Sequence, residues 1–463
     1  MIKFTWLILF IYLFTGCNNI LSNSSSSNQQ YSDDNQTYYD DTKSRNDFYG
    51  YGKLNLTKLL TQTTTLDSTA EFEKGELFSE QWALHYDEDF YTLNGIDENA
   101  HINPTTVYKN FTGSGVTVAI IDDGFDINHP EIRDKIIAKI AFDEYGNSSS
   151  DVSHTLNREY HGTAVAGIVA AKSDTYGVNG IAPGVNLILI KMPVSLTSSV
   201  VIDMFDFAID NGADVINCSW GTGVVSDIVR EKLNSIANSN GVVTVFASGN
   251  DNINMEGDES AIENVVGVGA TEHTNLRVWY SNYGKELDVV APGGYKYGIS
   301  TIDPIGTKGI SNDGYNRYDE YSNGEPVSFI GTSAAAPIVS GAIALLLEAN
   351  SSLSFDEVME YLQVSSDKIS QNLPYLNEMI YSSSSTPRIS GTLSEDTMST
   401  IFIRLVSISN EKVYGKYSIS IDGINWYAQV TEELPNGLYR IEVIDDVNNI
   451  LATDEIFDID TFK

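Results

Sequence analysis

The stretch VTVAIIDDG at residues 116–124 decides the fold class of this chain. Residues 116–121 are mostly apolar and lack the alternation of a half-exposed strand, so they predict a strand that is buried on both faces. The DDG that follows predicts a turn at the carboxyl end of that strand. A strand of this kind belongs to a parallel sheet that is covered by helices, as in an α/β domain.

The same pattern recurs along the chain. Further apolar runs predict buried strands at residues 186–191, 214–218, 242–247, 264–268 and 287–290. Two segments between them, residues 200–211 and 226–239, carry apolar side chains at helical spacing. Alternation of strands and helices predicts a mostly parallel sheet with right-handed crossovers. In such sheets, functional sites collect at the carboxyl ends of the strands.

Four polar residues occupy such positions. Asp122 follows the strand at 116–121, and Asn250 follows the strand at 242–247. His161 and Ser333 each begin a helix of small and apolar residues. We expect Pro337 in or near the first turn of the second helix, where a proline costs no helical hydrogen bond.

These residue types together point to nucleophilic catalysis at a carbonyl group. A serine hydroxyl becomes a good nucleophile when an imidazole takes its proton, and a carboxylate fixes the tautomer of that imidazole. A helix N-terminus at Ser333 and the amide of Asn250 would both favour a developing oxyanion. Each residue alone also has a structural interpretation, but the joint occurrence favours the catalytic one.

Three motifs resemble the catalytic signatures of the subtilisin-like serine peptidases: AIIDDG at 119–124, HGT at 161–163 and GTSAAAP at 331–337. Supporting motifs are GIAP at 180–183, YSNYG at 280–284 and VVAPG at 289–293. The resemblance covers about residues 76–349 and implies a subtilisin-like three-layer α/β domain. It further implies a serine endopeptidase with an Asp-His-Ser triad in which Ser333 is the nucleophile, His161 the general base and then acid, Asp122 the orienting carboxylate and Asn250 the oxyanion donor.

The resemblance also implies protein or peptide substrates. Ser219, Trp220 and Gly221 resemble the edge at which this family pairs its backbone with an extended peptide, a form of β-augmentation. FSEQWAL at 78–84 and the doubled Asp122-Asp123 resemble the kexin-like branch. However, residues 222–225 lack the acidic cluster with which that branch recognises basic substrates. Asp251, Glu256 and Asp258 could contribute acidity, but the sequence does not orient them.

Two rival interpretations remain open. One is a proteolytically silent surface adhesin or scaffold with a subtilisin fold, and the intact set of four site residues argues against it. The other is the group of acid-acting relatives that use Glu in place of His, which the His161 motif disfavours.

The acidic composition bears on partners. Lys and Arg number 27 against 63 Asp and Glu, a net charge of −36, which argues against nucleic-acid binding. The resemblance implies a structural Ca²⁺ site at Glu131 and Asp174, with Glu76 as a weaker third ligand, because oxygen ligands suit this hard cation. The alternative is ordinary surface acidity.

The two ends of the chain predict export and a modular layout. Residues 1–16 read as a lipoprotein signal peptide, and TGC at 15–17 resembles a bacterial lipobox that would lipidate Cys17. This predicts a lipid-anchored, extracytoplasmic protein of the bacterial cell envelope that contacts the membrane through its N-terminal lipid. The alternative is ordinary secretion with cleavage nearby. The predicted layout is a disordered tether (17–48), an N-terminal extension (49–105), a peptidase domain (106–380) and a small all-β domain (387–463).

Overall fold

The computed structural model describes residues 45–67, 69, 71–155, 160–322, 325–369, 374–376, 381–382, 388–393, 402–407, 412–422, 425–431, 434, 437–444 and 450–459. The predicted signal peptide, Cys17 and the tether as far as residue 44 lie outside these residues. The described residues form two compact units. One comprises residues 45–277 and 281–368, and the other comprises 278–280 and the described residues from 369 onward.

An eight-stranded sheet organises the first unit. Its strand order is β3-β2-β4-β1-β5-β6-β7-β8, and every adjacent pair is parallel except β2 with β3. The predicted fold class, α/β with a mostly parallel sheet, is therefore confirmed. The strands are β1 (Thr117–Asp122), β2 (Ile136–Phe142), β3 (Ser148–Ser149), β4 (Asn186–Lys191), β5 (Val215–Cys218), β6 (Val243–Ala247), β7 (Val266–Thr271) and β8 (Val289–Pro292).

Each predicted strand segment overlaps one strand of this sheet. The segments at 186–191, 214–218 and 242–247 match β4, β5 and β6 to within one residue. β7 begins and ends later than the segment at 264–268, and β1 extends to include Asp122. The strands β1, β5, β6, β7 and β8 are buried along their whole length, which explains their lack of alternation.

The first unit also contains helices. They are α1 (Leu56–Thr61), α2 (Glu88–Asn94), α3 (Thr105–Tyr108), α4 (His161–Ala170), α5 (Ser198–Asp210), α6 (Asp227–Ser235), α7 (Thr332–Ala349) and α8 (Phe355–Ser365). Among the described residues, one helix, α7, has the length and the mean hydropathy (1.5) of a membrane span, but 89% of it is buried inside the fold. We therefore assign α7 to the core of the unit.

The expectation about Pro337 is wrong. Because α7 begins at Thr332, Pro337 is its sixth residue and lies in the second turn. A residue at this position normally donates its N–H to the carbonyl four residues earlier, which belongs to Ser333. Proline has no N–H, so the helix loses this one bond.

An N-terminal stretch extends the sheet beyond β8. We call residues 50–54 the edge segment. The N–H of Leu54 donates to the carbonyl of Val290 (2.9 Å), and the N–H of Val290 donates to the carbonyl of Gly52 (3.0 Å). On its other side, Lys53 exchanges two backbone hydrogen bonds with Asp367 (2.9 and 2.7 Å). The edge segment thus covers the open edge of the sheet, which would otherwise present unpaired backbone groups.

Short antiparallel pairs and a second unit complete the fold. In the first unit β9 (Thr301–Ile302) pairs with β10 (Tyr315–Asn316), and β11 (Tyr321–Ser322) with β12 (Glu325–Pro326).

The second unit has two sheets, ordered β13-β15-β19-β18 and β14-β21-β20-β16-β17, which confirms the predicted small all-β part. Its strands are β13 (Pro374–Leu376), β14 (Tyr381–Ser382), β15 (Arg388–Leu393), β16 (Phe402–Ser407), β17 (Val413–Ser418), β18 (Ser420–Asp422), β19 (Asn425–Gln429), β20 (Gly437–Ile444) and β21 (Ile450–Ile459).

Candidate active site

Asp122 lies at the carboxyl end of β1, the strand where the chain direction across the sheet reverses. β1 pairs with β4 on one side and with β5 on the other, so its end is the topological switch point of the sheet. Asp122 is only 1% exposed. The predicted position of the site, at the end of a buried parallel strand, is the position at which the structure places this carboxylate.

His161 begins α4 and contacts Asp122 directly. Its Nδ1 lies 2.7 Å from Oδ1 of Asp122. The helix approaches this closely because Gly162 has no side chain: a Cβ there would lie 2.4 Å from the carbonyl oxygen of Gly124. The N–H of Gly162 also donates to Oδ1 of Asp123 (2.9 Å). The second aspartate of the pair therefore anchors the N-terminus of α4.

The electrostatics of the pair favour a strong base. Burial of the imidazole disfavours its protonated form, but the charge of Asp122, the hydrogen bond to it and the charge of Asp123 together raise the pKa of His161 to about 9. The side chain of His161 keeps 31% of its surface exposed. The imidazole is thus accessible and binds a proton more tightly than a free histidine does.

Buried hydrogen bonds connect α4, the helix that begins at His161, to the turn after Asp122. Thr163 Oγ1 accepts the N–H of Asp126 (2.9 Å) and lies 2.7 Å from Nε2 of His154. Burial is the main reason that the pKa of His154 is lowered to about 4. A neutral His154 and Thr163 therefore tie α4 to the turn after Asp122.

Ser333 is the second residue of α7 and forms a reciprocal pair with Ser219. Its Oγ donates to the carbonyl of Ser219 (3.0 Å), and Oγ of Ser219 donates to the carbonyl of Ser333 (3.0 Å). No hydrogen bond joins Ser333 to His161 within the part of the chain that the structure describes. Catalytic hydrogen bonds are often long or poorly aligned in ligand-free enzymes, so this does not exclude a catalytic pairing of Ser333 with His161.

Asn250 lies against the first residues of α7. Its Oδ1 accepts both the N–H (2.9 Å) and the Oγ1 hydroxyl (3.0 Å) of Thr332. These bonds fix the amide so that its Nδ2 remains a donor. A Cβ on Gly331, whose φ is +123°, would lie 3.4 Å from this Nδ2. The amide nitrogen therefore lies beside the turn that leads into Ser333.

The predicted substrate edge directly follows β5. The Trp220 side chain is buried, with its Nε1 donating to the carbonyl of Ile121 (3.0 Å) and its ring at a T-shaped 5.2 Å from Phe246. Trp220 would therefore contact a peptide through its backbone and not through its side chain. A Cβ on Gly221 would lie 2.6 Å from Oδ2 of Asp258, so glycine is required here.

Two acidic residues hold the segment after Gly221. Oδ2 of Asp258 accepts the N–H of Gly223 (2.9 Å), and the carboxylate of Glu259 accepts the N–H (2.9 Å) and the hydroxyl (2.6 Å) of Thr222. Sequence reasoning left Asp258 without an orientation and missed Glu259, because no local signal connects two segments so far apart in the chain.

Glu131 and Asp174 lie close enough to interact, but the described residues do not form a metal cage. Oε1 of Glu131 accepts the hydroxyl of Tyr315 (2.8 Å), and Oε2 accepts the N–H of Lys172 (3.0 Å). Burial and, less strongly, the charge of Asp174 raise the pKa of Glu131. Within the described part of the chain, no group of three His, Cys, Asp or Glu is placed to hold a metal ion.

Comparison with known proteins identifies the class. The Subtilase family profile matches residues 113–379, and the chain therefore belongs to the subtilase family. The motifs in the sequence predicted this membership, and the parallel sheet with Asp122 at its switch point agrees with it.

Individual relatives cover different shares of the chain. A calcium-dependent protease of Nostoc sp. is 34% identical over 325 residues, which are 65% of this chain and 48% of that protein. Subtilisin DY of Bacillus licheniformis is 31% identical over 274 residues, which are 58% of this chain and 89% of that protein. The crystal structure of a serine protease of Aeromonas sobria shares the fold, with a TM-score of 0.53 and 17% identity over 85% of this chain and 94% of that chain. This chain thus spans about half the length of the Nostoc relative.

Proposed function

We propose that this chain is a serine endopeptidase that hydrolyses peptide bonds of proteins through an acyl-enzyme on Ser333. The observation that carries the proposal is the 2.7 Å contact between His161 Nδ1 and Asp122 at the switch point of the sheet. Membership of the subtilase family supports it. So does the position of Ser333 in the first turn of α7, beside the oriented amide of Asn250.

The chemistry follows from these positions. Asp122 keeps the proton of His161 on Nδ1, which leaves Nε2 to take the proton of Ser333. The freed Oγ attacks the peptide carbonyl, and His161 then gives the proton to the leaving amine. Water, activated by the same imidazole, hydrolyses the resulting ester. The Nδ2 of Asn250 and the N–H of Ser333, which has no helical acceptor in the first turn, face the developing oxyanion.

The substrate is an extended segment of protein. Residues 219–221 follow β5 directly, and the buried Trp220 side chain leaves their backbone to bind the substrate. Pairing with this backbone requires an extended peptide. We therefore expect cleavage within loops and unfolded segments.

Labelling with a fluorophosphonate probe tests the proposal. The purified protein without its first 16 residues, supplied with calcium, should be labelled at one site, while Ser333→Ala and a denatured sample should not be labelled. Probe labelling requires an activated serine and no particular substrate. A folded wild-type protein that remains unlabelled would favour the proteolytically silent scaffold.

Calcium is proposed as a structural ion at Glu131 and Asp174. The Nostoc relative is named as a calcium-dependent protease. In this chain, burial and, less strongly, the charge of Asp174 raise the pKa of Glu131, so a bound positive charge would stabilise the ionised carboxylate. A calcium ion bound there would supply that charge. Calcium should raise the melting temperature of the wild type more than magnesium does, and Glu131→Gln should remove the difference. An equal effect of both ions would exclude a specific site at these residues.

Export and lipidation of Cys17 complete the proposal. The support is the sequence alone: a short apolar run after Lys3 and the TGC motif. Cells that express the full chain should incorporate a fatty-acid analogue into the wild type but not into Cys17→Ala. Recovery of unlabelled wild type from the medium would instead establish ordinary secretion.

A further inference from the structure

The buried amide of Asn217 links two residues of α7 through hydrogen bonds. It binds Ser340 directly, and it binds Ser333, the predicted nucleophile, through Ser219. Asn217 is in β5 between Ile216 and Cys218 and is fully buried. A buried amide is costly unless its donor and acceptor are both satisfied. Its Nδ2 donates to Oγ of Ser219 (3.0 Å), and its Oδ1 accepts the hydroxyl of Ser340 (2.8 Å).

The chain of contacts ends at the carbonyl of Ser333. Oγ of Ser219, having accepted from Asn217, donates to that carbonyl (3.0 Å). Ser340 lies seven residues after Ser333, which is two helical turns, so both face the same side of α7. Ser340, Asn217, Ser219 and Ser333 are thus connected in this order by hydrogen bonds, and we call this set of four residues the Asn217 relay.

The carbonyl of Ser333 needs this donor because of Pro337. Its normal helical partner would be the N–H four residues later, and that residue is a proline without an N–H. A buried carbonyl without a donor is unfavourable and free to tilt. Ser219 supplies the missing donor, and Asn217 holds Ser219 in place.

On the basis of the proposed peptidase function, we infer that Ser219 and Asn217 are positioning residues for the nucleophile. During catalysis the Ser333 hydroxyl must leave the carbonyl of Ser219 and turn to His161. The separate bond from Ser219 Oγ holds the backbone of Ser333 while its side chain turns. It thereby keeps the Ser333 N–H aligned with Asn250 and the Ser333 Oγ aligned with His161. A displacement of reacting groups by about 1 Å costs about 10²-fold in rate.

The test compares Ser219→Ala with Ser219→Thr, which retains the hydroxyl, in the full protein. We expect Ser219→Ala to slow fluorophosphonate labelling and to lower kcat on a quenched peptide pool by about 10- to 100-fold, with KM nearly unchanged. Ser219→Thr should restore most of the rate. The matched control is Thr244→Val in β6, since Thr244 Oγ1 is buried without a hydrogen-bond partner. If Ser219→Ala does not fold, Asn217→Asp, which keeps an acceptor for Ser340 but loses the donor to Ser219, should show the same slowing.

A double-mutant cycle with Pro337→Ala tests the reason for the relay. Alanine restores a helical donor for the Ser333 carbonyl, so Ser219→Ala should cost much less rate in this background. Equal losses in both backgrounds, or wild-type labelling rates in folded Ser219→Ala, would overturn the inference while leaving the peptidase proposal intact. A wild type that is never labelled would overturn both.

Discussion

In the proposed mechanism Asn250 has two tasks, and a substitution can separate them. Its Oδ1 anchors Thr332, and its Nδ2 is proposed to bind the oxyanion. Asn250→Asp keeps the acceptor and loses the donor, so kcat should fall by about 10²- to 10³-fold at an unchanged melting temperature. Asn250→Leu should show the same kinetic loss and, because two Thr332 donors lose their acceptor, a loss of about 1–3 kcal/mol in the free energy of unfolding. Wild-type kcat in Asn250→Asp would contradict this assignment.

The raised pKa of His161 predicts an alkaline activity profile. The base acts only when it is deprotonated, so kcat/KM should rise with pH and reach its midpoint above 6.5, towards 9. Asp123→Asn should move that midpoint downwards, because Asp123 contributes to the shift while its oxygen remains available to Gly162. A midpoint at or below 6.5 in the wild type would show that the two aspartates do not raise the pKa of the imidazole.

The same shift has a consequence for stability with the opposite dependence on pH. Since the folded state raises the pKa, protonation of His161 stabilises the fold. This contribution is fully present below pH 6.5 and is lost as the pH rises towards 9. The protein should therefore lose this part of its stability over the pH range in which the proposed activity rises. Melting temperatures of wild type and His161→Ala across that range would measure the difference.

At the residue scale, sequence motifs predicted the four candidate site residues but not their contacts. Asp122 and His161 meet because Asp122 ends β1 and because Gly162, which belongs to the HGT motif, lets α4 approach closely. The reciprocal bonds of Ser333 and Ser219 could not be predicted, because they depend on how a helix packs on a distant strand. The interpretation of Pro337 failed because the start of α7 determines which carbonyl loses its donor.

The edge segment is an element that only the structure reveals. Its contacts join residues 50–54 to Val290 and Asp367, and a stretch of five residues carries no pattern that predicts a partner so distant. The strands β1 and β4 to β8 were predictable because each contains a mostly apolar run, whereas β2 and β3 were not predicted, because β2 is only partly buried and β3 consists of two exposed serines. Strand ends were less predictable, since burial continues past the last apolar residue in β1 and β7.

Gly50 makes the edge segment sensitive to substitution. A Cβ on Gly50 would lie 2.1 Å from the carbonyl oxygen of Asp288, so Gly50→Ala should push the segment off β8. We expect a lower melting temperature and faster proteolysis near residue 50. Gly95→Ala is the matched control: its φ of +65° resembles the +57° of Gly50, but a Cβ there meets nothing within 4 Å. It should cost only the backbone strain of about 1–2 kcal/mol. Equal losses in the two variants would show that the contact with β8 contributes little.

The charge of the whole molecule predicts a response to salt. A net charge of −36 makes the folded chain repel itself, and salt screens that repulsion. The melting temperature should rise between about 0.05 and about 0.5 M sodium chloride, over which the screening length falls several-fold. This rise should persist in Glu131→Gln, which separates general screening from a specific effect of calcium. A melting temperature that falls with salt would show that attractive ion pairs dominate.

The contacts of the edge segment with Asp367 and Lys368 also bear on the order in which the protein folds during synthesis. The carbonyl of Tyr51 accepts a hydrogen bond from the ammonium of Lys368, 317 residues later in the chain. The backbone of Lys53 pairs with that of Asp367, which is similarly distant in sequence. During synthesis the edge segment is made long before Asp367 and Lys368, which follow every strand of the large sheet. Its contacts with Asp367 and Lys368 form only after the whole sheet has been made, by closing a very long loop, and contacts of this kind are slow to form. Until the edge segment has docked, the newly made sheet keeps an open edge at β8, and an unpaired edge of this kind favours aggregation.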